Sequence, residues 1–200
     1  MLVQVNLSIG GPARIQVPTS GPGDALPVVA RVEERLARRG LCWRPRPWPD
    51  PARPALAVAG PGRLTRRKMV APAICGPYAA ARVMDAMDYD VHFFVDAETG
   101  QDAVVYRAGP YGVRMARQRE LRPPRAGVGV DTTPIILTPR CAPVLTEPEA
   151  VIRVCEYGLP FLFYTDDGSG RGHLLYRRYD ADLTLLTPAD SGACDSTRTC

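Results

Sequence analysis

The side chains able to do chemistry are few and scattered. Imidazole comes only from His92 and His173, which fall mid-strand and at a strand start. Neither has a serine or cysteine nucleophile in a strand-turn-helix elbow beside it, so both read as ordinary strand histidines. The six cysteines, Cys42, Cys75, Cys141, Cys155, Cys194 and Cys200, include no C-x-x-C pair and no histidine near enough in sequence to complete a metal site. They read as buried or incidental thiols of a reducing compartment. Asp85, Asp88, Asp90, Asp96, Glu98 and Asp102 crowd one stretch, but they lack the ligand spacing and distal Glu of a calcium loop and read as turn acids. Gly168-Ser169-Gly170-Arg171-Gly172 is glycine-rich like a phosphate loop. It lacks the following Lys-Ser/Thr, however, and leads into a strand, where no helix N-terminus waits for a phosphate. No catalytic constellation, metal site or cofactor is expected, and the chain does not read as an enzyme.

Positive charge is the chemistry that remains. Residues 1–70 hold twelve Lys and Arg against four Asp and Glu, a net +8, whereas residues 71–200 hold thirteen against seventeen, a net −4. The basic part is the candidate for meeting a polyanion. Within it Arg31, Arg35, Arg38 and Arg39 recur along one face of a helical segment, with Glu33 and Glu34 between them. Guanidinium groups so spaced can contact successive phosphates; the same pattern also fits a solvated face partly neutralised by the two glutamates.

The elements that must position these residues are duplicated. Asp90-Val91-His92-Phe93-Phe94-Val95-Asp96, Gly100 and Tyr106-Arg107 return seventy residues later as Pro160-Phe161-Leu162-Phe163-Tyr164-Thr165-Asp166, Gly170 and Tyr176-Arg177. Ungapped self-similarity at a fixed period means two copies of one module. Each is near the lower size limit for an independent core, so the copies are expected to lean on each other. The spacing predicts in each a helix on one face of a short, mainly antiparallel sheet, an α/β (α+β) fold class. In the first helix Ala80, Val83, Met84 and Met87 form the expected buried face. The second starts at the capping box Thr146-Glu147-Pro148-Glu149, buries Val151, Val154 and Cys155, and stops at Gly158.

Ahead of the repeats, alternation over Val3–Ile9 and Ala13–Val17 about Gly10-Gly11 predicts a hairpin. A helix follows, capped by Asp24, apolar at Ala25, Val28, Val29, Val32 and Leu36, and stopped by Gly40. The organisation is therefore residues 1–40 as a ββα unit, 41–63 as a Pro/Arg-rich linker, 64–117 as the first module, 118–133 as a second linker, 134–188 as the second module and 189–200 as a disordered tail. Trp43-Arg44-Pro45-Arg46-Pro47-Trp48 suits an extended spacer or a docking peptide. No apolar run has the roughly 20 residues of a membrane span and no leader pattern opens the chain, so a soluble, cytoplasmic protein is expected.

Alternation places Val91, Phe93, Val95, Phe161 and Phe163 on one strand face and Phe94, Leu162 and Tyr164 on the other. Both faces are apolar. The first is assigned to each module's own helix. Phe94, Leu162 and Tyr164 are assigned to pairing of the repeats, within the chain or in a homodimer.

Met84-Asp85-Ala86-Met87, His92-Phe93-Phe94, the Asp96 to Gly100 hairpin and Val104-Val105-Tyr106-Arg107 resemble the C-terminal module of the long-form ribosome hibernation promoting factors. Phe161 to Arg177 does so more weakly. The tandem arrangement looks most like the dormancy-associated translation inhibitors. The resemblance implies binding to the small ribosomal subunit, its rRNA and ribosomal proteins, and inhibition of translation. RNA contact then falls to Arg31, Arg35, Arg38 and Arg39, with Arg14 beside them. It also implies that the ββα unit is a truncated remnant of a βαβββα domain, and that modules paired in cis occupy the surface otherwise used to join two ribosomes. A protein-interaction adaptor using the paired repeats, without ribosome binding, is the alternative.

Overall fold

The computed structural model describes residues 1–8, 11–38, 43–45, 60–109, 112–125, 134–178 and 180–189. Gly40, Arg39 and most of the Pro/Arg-rich segment lie outside them.

Alternating Val3, Val5 and Leu7 make strand β1 (Leu2–Ser8), which pairs antiparallel with β2 (Pro12–Pro18) in a register that sets Val5 opposite Ile15. Helix α1 (Leu26–Ala37) follows, with proline in its first turn. Its N-cap is Ala25, and Asp24 instead accepts the Ser20 N–H at 3.1 Å to close the preceding turn. The predicted apolar face is covered only in part: Val28 and Val32 are half-buried, Ala25, Val29 and Leu36 are exposed, and Arg31 is the buried helix residue. Two strands offer too little apolar surface to cover a helix, so α1 turns a charged side inward.

The first repeat contributes β3 (Leu64–Val70), β4 (Ile74–Cys75), α2 (Pro77–Ala86), β5 (Val91–Asp96), β6 (Asp102–Ala108) and β7 (Gly112–Arg117). The second contributes β8 (Ile135–Leu137), β9 (Val144–Leu145), α3 (Glu147–Glu156), β10 (Phe161–Asp166), β11 (Gly172–Arg177) and β12 (Leu183–Pro188). Two five-stranded sheets result, ordered β4-β5-β6-β7-β8 and β3-β12-β11-β10-β9. Each has an antiparallel three-stranded centre flanked by one parallel strand on either side.

The sheets do not follow the repeat boundaries. β3, from the first repeat, pairs with β12 of the second, while β8, from the second, pairs with β7 of the first. The copies have exchanged their leading strands. The repeated Tyr-Arg pair serves this exchange. Tyr106 reaches Thr138 Oγ1 at 2.8 Å, just past β8, and Tyr176 reaches Lys68 Nζ at 3.5 Å on β3. The adjoining arginines tie down the ends of their own helices. Arg107 donates to the Tyr89 carbonyl and to Asp85, and Arg177 donates to the Leu159 and Val154 carbonyls.

The strand faces are used the opposite way from the expectation. Phe94 packs with Ala80, Ala81 and Met84 of α2, and Tyr164 with Ala150 and Val154 of α3. Leu162 lies partly buried on that same helix-facing core. Phe93, Phe163, Val104 and Leu174 instead form a core between the sheets, giving a helix-sheet-sheet-helix stack. Ala80 and Ala81 of α2 and Ala150 of α3 let the Phe94 and Tyr164 rings pack close to the helices. Val83, placed in the α2 core by spacing, is exposed, and Ala81 fills its place. At α3 the capping box forms, with Glu149 accepting the Thr146 N–H at 2.8 Å, and Gly158 ends the helix at φ 59°.

Candidate nucleic-acid interface and the pairing of the repeats

The ββα unit lies against the first module through the very arginines assigned to RNA. Arg35 Nη1 sits 3.3 Å from Asp85 Oδ2, and Arg31 Nη2 4.0 Å from Asp88 Oδ1. Arg31 also pairs with Glu34 at 3.0 Å. Arg14 stacks over the Tyr89 ring, 5.8 Å from its centroid, with Nη1 3.5 Å from the phenol oxygen. The Gln16 N–H donates to Asp88 at 2.8 Å. Arg38 is the more exposed one, held by Glu34 at 3.1 Å. Trp43 packs partly buried on the first module's core.

The internal repeat identifies the residues behind this contact. Asp85, Asp88 and Tyr89 correspond to Cys155, Gly158 and Leu159 in the second module, which has no acid or phenol to offer there. Asp88 takes φ 55° where its counterpart is glycine, a left-handed conformation that aspartate tolerates at some cost. Its carboxylate receives the Gln16 amide in return. In sequence these acids look like turn formers only, because their partners lie far away along the chain.

Exposed positive charge is also found outside the ββα unit. Arg66 and Arg67 are exposed on β3, at the outer edge of its sheet, where Arg67 meets Glu147 of α3 at 3.1 Å. The run Arg66-Arg67-Lys68 beside a strand start is the sequence signal for this patch.

The interface between the repeats carries buried charge. Asp102, 2% exposed, accepts from Arg171 Nε at 2.8 Å, Arg171 Nη2 at 3.1 Å and the Gly172 N–H at 2.8 Å. Gln118 extends the contact, donating to Thr165 Oγ1 at 3.2 Å and to the Gly170 carbonyl at 3.0 Å. The glycine-rich segment is thus a hairpin tip seated on the first module. At the matching hairpin of that module, Asp96 forms a wholly buried ion pair at 2.6 Å with Arg117 of β7, and Glu98 lies 3.3 Å from the same guanidinium.

The two histidines do not meet. His92 stacks on Tyr89 at 6.2 Å, and burial pushes its pKa down to about 4. His173 makes an edge contact with Tyr164 at 5.6 Å; burial lowers its pKa, opposed by Asp166 and Asp102. Burial also raises the Tyr164 phenol, assisted by Asp166. Among the described residues no group of three or more His, Cys, Asp or Glu is placed to hold a metal ion, and no helix is long and apolar enough to cross a membrane.

Residues 60–114 match the family described as Sigma 54 modulation/S30EA ribosomal protein C terminus. That span begins just before β3 and ends within β7. The chain is 50% identical over 200 residues to the Dormancy associated translation inhibitor of Mycobacterium tuberculosis strain CDC 1551 / Oshkosh, and equally to that of strain ATCC 25618 / H37Rv. In both cases the match covers 97% of this chain and 73% of the relative. With that identity along nearly all its length, and the family's C-terminal module folded twice, this chain belongs to the ribosome hibernation promoting factor family, in its tandem-module, dormancy-associated branch.

Proposed function

We propose that the chain is a non-enzymatic, cytoplasmic dormancy factor that binds the small ribosomal subunit, contacting its rRNA and ribosomal proteins, and inhibits translation. The observation that carries this reading is the 50% identity over 97% of the chain to proteins named Dormancy associated translation inhibitor. The basic ββα unit and the β3 edge supply the charge. Arg38 and Arg66 are exposed, while Arg31 and Arg35 reach phosphate only by leaving Asp88 and Asp85. Pairing of the modules is within the chain, supported by the Phe93 and Phe163 core and the exchanged strands. That pairing occupies the face each module would use for a second copy, so the factor acts on single ribosomes.

Co-sedimentation of the full chain with purified small ribosomal subunits across a salt series tests this. Binding is expected to fall steeply with salt, as released counterions require, and Arg38→Glu with Arg66→Glu is expected to flatten the slope. Failure to sediment even at low salt would move the assignment to a protein-interaction adaptor. The engagement of Arg31 and Arg35 by the first module's acids is the observation that favours that second reading.

A further inference from the structure

Asp102 and Gly172 occupy equivalent places in the two modules, as do Gln101 and Arg171, and the internal symmetry brings these positions together. A Cβ placed on Gly172 would lie 2.5 Å from the Asp102 Cβ and 2.8 Å from Phe163 Cε2. The backbones approach so closely that one of the two positions must be glycine. The other is an acid, buried, and held through both its oxygens by the arginine that precedes that glycine. The contact is therefore complementary in shape and in charge, although the modules around it are copies.

From this we infer that the pairing face is heterotypic: the first module's face accepts the second module's face and rejects a second copy of itself. Two first-module faces would set two aspartates at Cβ contact distance, desolvated, with Gln101 in place of a guanidinium. Burying an uncompensated charge is among the largest single penalties a fold can meet. Two second-module faces would bring glycine to glycine without a clash, but would take the Asp102 carboxylate away from both Arg171 guanidinium groups. Selection against the like pair by charge and bulk is how copies of one module acquire specific partners. Gln118 reinforces the asymmetry: it accepts the Asp102 N–H at 3.3 Å and donates across to Thr165 and Gly170. The second repeat carries Pro188 at the matching position, which offers no side-chain amide. The partner this face fits is an arginine-glycine hairpin tip of the second-module type. The inference concerns pairing alone and does not rest on ribosome binding.

The test transposes the pair in the full chain. Gly172→Asp makes both faces acidic. It is expected to lower the thermal midpoint by about 10 °C and to cut hydrogen-exchange protection of the Val104 and Leu174 amides at least about a hundredfold. The fourfold variant Gln101→Arg, Asp102→Gly, Arg171→Gln, Gly172→Asp carries the same new aspartate but restores one acid facing one arginine-glycine pair. It is expected to recover most of the midpoint and protection. A fourfold variant as damaged as Gly172→Asp would overturn the proposal, because the defect would then belong to position 172 and not to the pair. Unchanged protection in Gly172→Asp would overturn it as well. Should Gly172→Asp fail to fold, Arg171→Gln and Arg171→Gln with Asp102→Asn replace it. The single change, which leaves Asp102 buried without its guanidinium, must cost more protection than the double change; equal cost rejects the proposal.

Discussion

Phe93 and Phe163, seventy residues apart and equivalent in the repeat, face each other across the two sheets with ring centroids 6.3 Å apart and planes tilted by 51°. Each is nearly buried, and Val104 and Leu174 complete the layer around them. Phe93→Ala removes one ring from a core shared by both modules. It is expected to cost about 3–5 kcal/mol, read as a lower midpoint in urea with an unchanged slope. Because the layer is common, both modules should lose stability in a single transition.

Arg117→Met is predicted to be comparably severe for a different reason. It leaves Asp96, which is wholly buried, without the guanidinium 2.6 Å away. Breaking one side of such a pair costs about 3–5 kcal/mol, whereas replacing both members with apolar residues recovers much of the loss. Asp96→Leu with Arg117→Met should accordingly be more stable than Arg117→Met alone in chemical denaturation.

Asp88→Gly with Tyr89→Leu gives the first module the residues its own copy carries at these places. The module itself should tolerate the change, since glycine suits φ 55° better than aspartate does. The ββα unit should not, because it loses the carboxylate that holds the Gln16 amide and the ring under Arg14. Exchange of the Gln16 N–H is expected to rise at least about tenfold while the α2 amides stay protected.

Acid should destabilise the chain through His92. Its pKa is about 4 when folded, against an ordinary value of 6.5 for an exposed imidazole, so the unfolded chain binds the proton first as pH falls. Stability attributable to His92 is full above pH 6.5 and is lost as pH falls towards 4, by about 3 kcal/mol in all. His173, shifted the same way by burial, adds to the slope. His92→Phe should flatten, without abolishing, the loss of stability measured by denaturant titration between these pH values.

Much of this architecture is legible in the residues, and the failures share one cause. The repeat, the helix starts and stops of α3, the hairpin turns and the α+β class all follow from local patterns. The choice of face does not. Phe93 and Phe94 are both apolar, and a strand's period of two says only that they point apart. The choice is made by packing against α2 and α3 and against the other sheet, all of which lie outside the strand. The exchange of β3 is hidden similarly, since Leu64–Val70 would pair as well with its own sheet as with its neighbour's. Arg31 and Arg35 read as free to meet RNA because no acid near them in sequence answers for both; Asp85 and Asp88 come from some fifty residues on. In each case local chemistry is plain and the partner is distant.

The exchanged strands also bear on how such a chain can be altered. A cut between the repeats does not yield two half-proteins, because removing the first strips β3 from β12 and removing the second strips β8 from β7. Each half would be left with an open sheet edge able to recruit a strand from another molecule. In effect the gene encodes a strand-swapped dimer whose two subunits can never be present in unequal amounts.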